Sequence, residues 1–113
     1  MAQGVQLQFY FPEGARHKHV LLHEWLLGRA RDCGIKGASV FRASAGYGRH
    51  GRMHYGHFFE TAGELPLEMR IVTTEDLAEQ LLALLAREQL HLFYVRTPVE
   101  YGWTGVAQDP PTE

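Results

Sequence analysis

Apolar and polar residues alternate at two places in the chain, and this pattern predicts two strands that each bury one face. Over residues 5–11 the apolar positions are every second residue, and residues 65–72 repeat the pattern. Two further stretches, residues 37–44 and 90–99, are rich in aromatic and β-branched residues and predict two more strands, the second of them ended by Pro98. The alternating apolar residues are Val5, Leu7, Phe9, Phe11, Leu65, Leu67, Met69 and Ile71.

Two other segments carry apolar residues at the spacing of a helix. The first runs from about His19 to Asp32, with Gly34 as its left-handed stop. The second follows the threonines at 73–74, which supply an N-cap hydroxyl before Glu75 and Asp76, and it ends near residue 87. The predicted apolar stripes are Leu22, Trp25, Leu26, Arg29 and Ala30 in the first helix, and Leu77, Leu81, Leu84 and Leu85 in the second.

The resulting order is βαββαβ, which is typical of an α+β, ferredoxin-like sandwich with both helices on one face of a four-stranded antiparallel sheet. The other face would carry Gln6, Gln8 and Tyr10, so it is semi-apolar and uncharged along the first strand. Broad patches of this kind seldom stay in water, which makes the face a candidate oligomer surface. We expect residues 1–105 to form one domain and residues 106–113 to form a flexible tail.

Composition narrows the functional classes. A chain of 113 residues with 45% hydrophobic residues can bury a single core. The net charge of -2 lacks the basic footprint of a nucleic-acid binder, and no apolar run approaches the length of a membrane span. A single cysteine, Cys33, and the absence of a signal-peptide pattern favour a cytoplasmic protein.

A glycine-rich loop, residues 46–51, follows the second strand and contains Gly46, Gly48 and Gly51. Backbone N–H groups of such loops bind anions when they converge, but no helix pattern follows, so this is neither a phosphate-binding Walker loop nor a dinucleotide motif. Taken alone, the pattern most often marks a flexible turn. Arg42 precedes the loop, and its paired donors suit a phosphate or carboxylate.

Seven histidines raise the question of a metal site. His19 and His23 have i, i+4 spacing, which would place both on one helix face for zinc or copper. Further histidines, His50, His54 and His57, lie around the glycine loop. No cysteine or carboxylate at fixed spacing completes a ligand set, so exposed polar residues are the simpler interpretation.

Catalysis is not expected from the sequence. Ser39, Ser44 and Cys33 do not fall into a nucleophile elbow or another local catalytic signature. We therefore predict a protein that is not an enzyme.

The order Gly34-Ile35-x-Gly37-Ala38-Ser39-Val40, then Arg42, Gly46-Tyr47-Gly48 and Glu64-Leu65-Pro66, resembles the PII-like family of unknown function, relatives of the nitrogen-regulatory PII signalling proteins. The resemblance covers roughly residues 7–101. It implies a homotrimer with inward sheet faces and a cleft between subunits that binds an adenine nucleotide beside a mobile T-loop.

The resemblance also implies which residues would border the nucleotide. Five match the junction of strand and T-loop, and Ser39 matches a small hydroxyl position on the same strand. Arg42 stands at the rim of the cleft and His54 in the returning stem of the loop. The five junction residues are Gly37, Gly46, Tyr47, Gly48 and Arg49.

One passage departs from the PII pattern. PII proteins have a Gly-Asp-Gly-Lys phosphate loop before the last strand, whereas residues 87–91 here read Arg-Glu-Gln-Leu-His. We therefore expect an AMP- or ADP-type effector, or another small anionic metabolite, rather than a triphosphate.

The predicted function is a trimeric PII-like sensor whose effector orders residues 45–55 and so changes the surface offered to a partner, a transporter or an enzyme. Two alternatives belong to other classes. One is a metal-binding trimer resembling the divalent-cation tolerance proteins, with His19 and His23 as ligands. The other is an assembly module without a ligand.

Overall fold

The structure is a computed structural model and describes residues 2–48, 51, 53–55 and 65–105. The elements are β1 (Ala2–Pro12), β2 (Arg16–His17), β3 (Val20–Leu21), α1 (Leu22–Asp32), β4 (Ala38–Arg42), β5 (Ala45–Gly46), β6 (His54–Tyr55), β7 (Pro66–Thr73), α2 (Glu75–Arg87) and β8 (Phe93–Tyr101). The predicted tail, residues 106–113, lies outside the described residues.

The main sheet confirms the predicted ferredoxin-like plan. Four strands pair in the order β4-β7-β1-β8, and each pairing is antiparallel. β1 and β7 are the central strands, with Leu7 opposite Ile71 and Phe9 opposite Met69. The edges of the sheet are β4 and β8.

One face of the sheet and both helices enclose the core. The alternating residues Leu7, Phe9 and Met69 are fully buried, as the period of two predicted. They pack with side chains of both helices, which therefore cover the same face. The helical contribution to this core is Leu22, Leu26, Ala30, Ala78, Leu81 and Leu85.

The predicted N-cap of α2 and the predicted glycine stop after α1 are confirmed. The Thr74 hydroxyl accepts a hydrogen bond from the Leu77 N–H at 3.2 Å, which satisfies a donor that the first turn of α2 leaves without a partner. After α1, Gly34 has φ +97°, a conformation that glycine adopts at little cost. Neither helix among the described residues is both long and apolar enough to cross a membrane.

The start of α1 differs from the prediction. The helix begins at Leu22 rather than His19, because the preceding residues form a small hairpin in which Arg16 pairs with Leu21 and His17 with Val20. His19 lies in the turn of this hairpin at φ 71°, in the left-handed region, and cannot belong to a right-handed helix there.

The last strand also differs from the prediction. β8 continues through Pro98 to Tyr101, whereas the sequence predicted that Pro98 would end it. Pro98 is tolerated because β8 is an edge strand that pairs only with β1, so a missing N–H can face away from the ladder. The strand starts at Phe93 rather than residue 90 because Leu90 donates to the Leu85 carbonyl and still closes α2.

Gly4 lies where β1 passes close to its neighbours, and replacing it with alanine should destabilise the protein. A Cβ at this position would come within 2.3 Å of the Thr73 carbonyl oxygen and 2.7 Å of a ring carbon of Tyr101. Because the first contact is with backbone, the strands must shift, and we expect Gly4→Ala to lower the free energy of unfolding by about 1–3 kcal/mol. Urea denaturation followed by circular dichroism measures the change.

The matched control is Gly48→Ala, since nothing lies within 4 Å of a Cβ there. At this exposed position we expect a change of no more than about 0.5 kcal/mol. Equal stabilities of the two variants would contradict the proposed close approach at Gly4.

Candidate functional site

Three connections meet at one end of the sheet, which we call the loop end. It is the end at which β1 and β4 finish and β7 and β8 begin. The hairpin β2–β3, the segment 43–65 and the connection 88–92 all leave the sheet there. The opposite end, with the last residues of β8 and the start of β4, is called the far end.

The segment after β4 folds back on itself, as the sequence predicted for the returning stem. Ala45 pairs with Tyr55 and Gly46 with His54, which makes β5–β6 a separate two-stranded ladder. The Ala43 N–H donates to the Pro66 carbonyl at 2.9 Å and ties the base of this hairpin to β7. The described part of the segment is therefore a hairpin that rises from the sheet.

Two residues of this hairpin, Gly51 and Tyr47, have an unusual backbone conformation and an unusual side-chain exposure, respectively. Gly51 has φ +73°, and its N–H donates to the Gly48 carbonyl at 2.9 Å, so the tip contains a turn that requires glycine. The side chain of Tyr47 is 67% exposed although it is a large aromatic residue. Aromatic side chains of this kind are enriched at protein interfaces, which makes Tyr47 a candidate contact residue.

Arg42 ends β4 and forms an ion pair with Glu13, just after β1, at 2.7 Å. The Glu13 N–H donates to the Leu65 carbonyl at 2.8 Å, so this pair joins the roots of three chain segments at the loop end. The Arg42 side chain remains 62% exposed. A guanidinium carries five donors, and one carboxylate does not use them all, so Arg42 can also bind an anion.

The structure does not bring all the predicted ligand residues together within one subunit. Gly37 precedes β4 at the far end, whereas Gly46 and Gly48 follow β4 at the loop end. The five residues of β4 separate them by about 16 Å at roughly 3.3 Å per residue. Ser39 lies on the helix-free face, opposite Arg70.

Two other predicted ligand residues are less fully described. The backbone of His54 lies in β6, opposite Gly46, and is thereby placed in the hairpin stem. Arg49 lies outside the described residues. A single subunit thus places Arg42 at the hairpin base and leaves Gly37 at the other end of β4.

Sequence reasoning missed a cluster around Glu88, at the C-cap of α2. The Glu88 carboxylate is 3.0 Å from His17 Nε2 and 3.1 Å from Lys18 Nζ. The His17 ring packs edge-on against Trp25, with ring centroids 4.5 Å apart. These four residues, the Glu88 cluster, hold the β2–β3 hairpin against the connection 88–92. The sequence pointed to this cluster only through Glu88, which lies in the passage that departs from the PII phosphate loop.

The Glu88 cluster joins two turns that contain unfavourable backbone conformations. Lys18 and His19 in one turn and Gln89 in the other have φ between 51° and 71°, although none is glycine. Such residues persist where the surrounding contacts fix the backbone. Here the ion pairs of Glu88 and the hydrogen bond from Arg16 to the His19 carbonyl at 3.0 Å provide those contacts.

The geometry proposed for a metal at His19 and His23 is wrong. Only His23 lies in α1, and His19 is in the hairpin turn, so the two do not share a helix face. Within the described ranges, no group of three or more histidine, cysteine, aspartate or glutamate residues is placed to hold a metal. His50 and His57 lie outside those ranges.

The helix-free face carries a polar network as well as apolar residues. Gln8 donates to the Tyr10 hydroxyl at 3.2 Å, and that hydroxyl donates to Glu68 at 3.1 Å. Burial, followed by the hydrogen bond to Glu68, raises the pKa of Tyr10, so the phenol stays neutral. Arg70 pairs with Glu68 at 2.6 Å and lies over the Phe41 ring. The face is therefore not free of charge, but its charges are paired.

Large apolar side chains surround this network. Phe93 is 71% exposed, and the other three are also exposed to solvent on the single subunit. Their alternation along the strands places them opposite the helices. The exposed residues are Phe41, Val72, Phe93 and Val95.

Comparison with known proteins assigns the family. Residues 4–100 match the family DUF190, described as Uncharacterized ACR, COG1993. The chain belongs to this family. A DUF190 relative from Aquifex aeolicus strain VF5, a UPF0166 protein, is 35% identical over 60 residues. That alignment spans 53% of this chain and 57% of the relative, so the match extends over little more than half of the curated protein.

Solved structures show that this DUF190 chain has the fold of PII-like proteins. One is CPII, a nitrogen regulatory PII-like protein from Thiomonas intermedia K12, determined with ADP, AMP and bicarbonate. It is 17% identical, with a TM-score of 0.59, and the alignment covers 89% of this chain and 97% of CPII. A candidate PII-like signaling protein from Thermus thermophilus is 20% identical, with a TM-score of 0.54 over 88% of this chain and 89% of that one. The predicted PII-like resemblance is confirmed.

The Glu88 cluster predicts a specific acid dependence of stability. Hydrogen bonds from His17 and Lys18 lower the pKa of Glu88. A carboxylate with a lowered pKa in the folded state stabilises the protein above its unfolded pKa, and this contribution is lost as the pH falls through the folded pKa. We expect Glu88→Gln to lower the unfolding temperature at neutral pH and to have progressively less effect below pH of about 4.3.

Thermal unfolding of the wild type and Glu88→Gln between neutral and acid pH measures this dependence. The same substitution in a Lys18→Met background is the control, because one cation is already absent and the difference should be smaller. A difference that does not change with pH would show that Glu88 acts through packing rather than through its charge.

Proposed function

We propose that the protein is a PII-like regulator that binds an adenine nucleotide of low charge, AMP or ADP, between the subunits of a homotrimer. Binding orders the hairpin 45–55 and changes the surface that a partner protein contacts. The partner is a transporter or an enzyme. This proposal adds an effector, an assembly and a moving element to the PII-like fold.

The observation that carries the proposal is the position of Arg42. Its exposed guanidinium stands at the root of the β5–β6 hairpin, which the Ala43–Pro66 hydrogen bond ties to the sheet. An anion bound by Arg42 would contact the hairpin base and could bias the hairpin between arrangements. CPII, which shares this fold, was solved with ADP and AMP, and this supports an adenine nucleotide as the anion.

The Glu88 cluster supports a ligand of low charge. The connection between α2 and β8 has no lysine, and its carboxylate, Glu88, pairs with both of its basic neighbours, His17 and Lys18. The connection also has no glycine, so its backbone does not form an open cradle of N–H groups. We therefore expect weak binding of a γ-phosphate.

The helix-free face supports an assembly of several copies. It exposes Phe41, Val72, Phe93 and Val95 around a network whose charges are already paired. Exposed apolar side chains around satisfied polar groups are typical of the buried core of an interface. In a trimer, a neighbouring subunit would complete the cleft beside Arg42.

Isothermal titration calorimetry with AMP, ADP, ATP and cyclic AMP tests the ligand, with and without bicarbonate because CPII was solved with that anion. We expect saturable binding of AMP or ADP, weaker binding of ATP, and a loss of about tenfold or more in Arg42→Ala, since a charge-assisted hydrogen bond contributes about 1.5–3 kcal/mol. Zinc and copper are titrated in parallel.

The matched control is Glu13→Gln, which removes the charge of the Arg42 partner and keeps the guanidinium. Nucleotide affinity should be retained or increased in this variant. Equal losses in Arg42→Ala and Glu13→Gln would assign the effect to the ion pair and contradict a direct contact with Arg42. Binding of metal without nucleotide would contradict the proposed effector.

The oligomeric state is tested separately by multi-angle light scattering. We expect a mass of three chains at micromolar concentration, and Phe93→Glu should shift the protein towards the monomer because it places charge in the apolar face. Ala83→Glu, at an exposed position of α2, is the control and should leave the mass unchanged. A monomeric wild type would contradict the assembly.

A further inference from the structure

A second surface feature lies at the far end of the sheet, away from Arg42 and the hairpin. It is an open groove of about 540 Å³ between the outer flank of α1 and the chain that leads into β4. The apolar part is formed by residues such as Leu27, and two glycines, Gly28 and Gly37, leave it open. Arg31 and Lys36 stand on its rim and are exposed to solvent.

An exposed tryptophan lies at the same end. Trp103 follows β8 by two residues and is 51% exposed in the single subunit. Tryptophan buries about 150–250 Å² when it is enclosed and is enriched at the centre of interfaces. The β8 edge of the sheet therefore offers an exposed aromatic anchor.

The sheet topology brings these two features together between subunits. Their strands, β4 and β8, are the two edges of the sheet, and both features lie at the far end. In a ring with all helix-free faces turned inward, the β8 edge of each subunit lies beside the β4 edge of the next, because a ring uses heterologous contacts. The end of β8 then lies beside the entrance of the neighbouring groove.

We infer that Trp103 inserts into the groove beside Gly28 of the neighbouring subunit. This contact between subunits stabilises the trimer at the far end. This inference rests on the homotrimer of the proposed function and adds a contact at the far end, away from Arg42 and the hairpin. The occupant of the groove is a second copy of the chain.

Charge complementarity supports the same occupant. Glu100 lies near the end of β8, is exposed, and forms no ion pair within the described part of the chain. The groove lining carries Arg31 and Lys36 with the opposite charge and one acidic residue, Glu24, so its cations outnumber its carboxylates. When Trp103 enters the groove, Glu100 approaches this rim, and Arg31 can also lie over the indole ring as a cation–π partner.

Tryptophan fluorescence tests the contact, because the chain has only two tryptophans. In a Trp25→Phe background, Trp103 is the sole emitter. At concentrations where light scattering shows the trimer, we expect emission at shorter wavelength than that of the denatured chain and protection from acrylamide quenching. Gly28→Leu in this background should fill the groove, move the emission to longer wavelength, increase quenching and raise the concentration needed for the trimer.

Nothing lies within 4 Å of a Cβ at position 28, so Gly28→Ala is accommodated by the subunit itself and provides a smaller filling residue with favourable helix propensity. The matched control is Ala83→Leu on an exposed position of α2, which should change neither emission nor assembly. Glu100→Lys should weaken the trimer, and addition of Lys36→Glu should restore it.

The outcomes separate this contact from the proposed function. A trimer with solvent-exposed Trp103, unaffected by Gly28→Leu, would overturn the contact and leave the trimer and the nucleotide site intact. A monomeric protein would overturn both. A red shift and weaker assembly in Gly28→Leu, absent in Ala83→Leu, would support it.

Discussion

The structure depends on the packing of two amphipathic helices against one face of the antiparallel sheet. Leu7, Phe9 and Met69 are fully buried between these layers, and burying each such side chain contributes about 1.5–3 kcal/mol. Side chains alternate along a strand. Once the apolar residues of a strand pack against the helices, the residues between them must lie on the helix-free face. The helix-free face and its exposed phenylalanines are therefore consequences of the same alternation that forms the core.

The two faces of the sheet differ in the burial of their apolar side chains. The helix side holds the subunit together, while the other side has its charges paired and its apolar residues exposed. At the loop end, the Arg42–Glu13 pair and the Glu88 cluster hold the first residues of the connections against the sheet and helices. In the proposed regulator, this arrangement would supply the fixed frame from which a ligand-dependent hairpin extends.

The sequence predicted the elements that depend on local patterns. Alternation at 5–11 and 65–72 identified the central strands, and the hydroxyl before Glu75 identified the start of α2. Both signals lie within a few residues of the element that they determine. The β2–β3 hairpin was missed because Glu88, 70 positions after Lys18, stabilises it. Strand β8 was predicted to end at Pro98, although an edge strand tolerates proline. Whether a strand lies at the edge depends on the order of strands in the sheet, and the local sequence does not contain that information.

The candidate site was predictable only in part. The glycines at 46 and 48 and the arginine at 42 identified the hairpin and its root, since their residue types indicate turns and anion contacts. The placement of Gly37 at the far end, about 16 Å away along β4, followed only from the three-dimensional structure. The Arg42–Glu13 pair joins residues distant in sequence and has no local signature.

Amide hydrogen exchange over residues 43–55 tests the central claim most directly, measured by mass spectrometry with and without saturating AMP or ADP. The account predicts slower exchange in this segment when the nucleotide is bound, with the β1 and β7 amides unchanged. Identical exchange of the hairpin in the two samples, under conditions where calorimetry shows the nucleotide bound, would contradict the account.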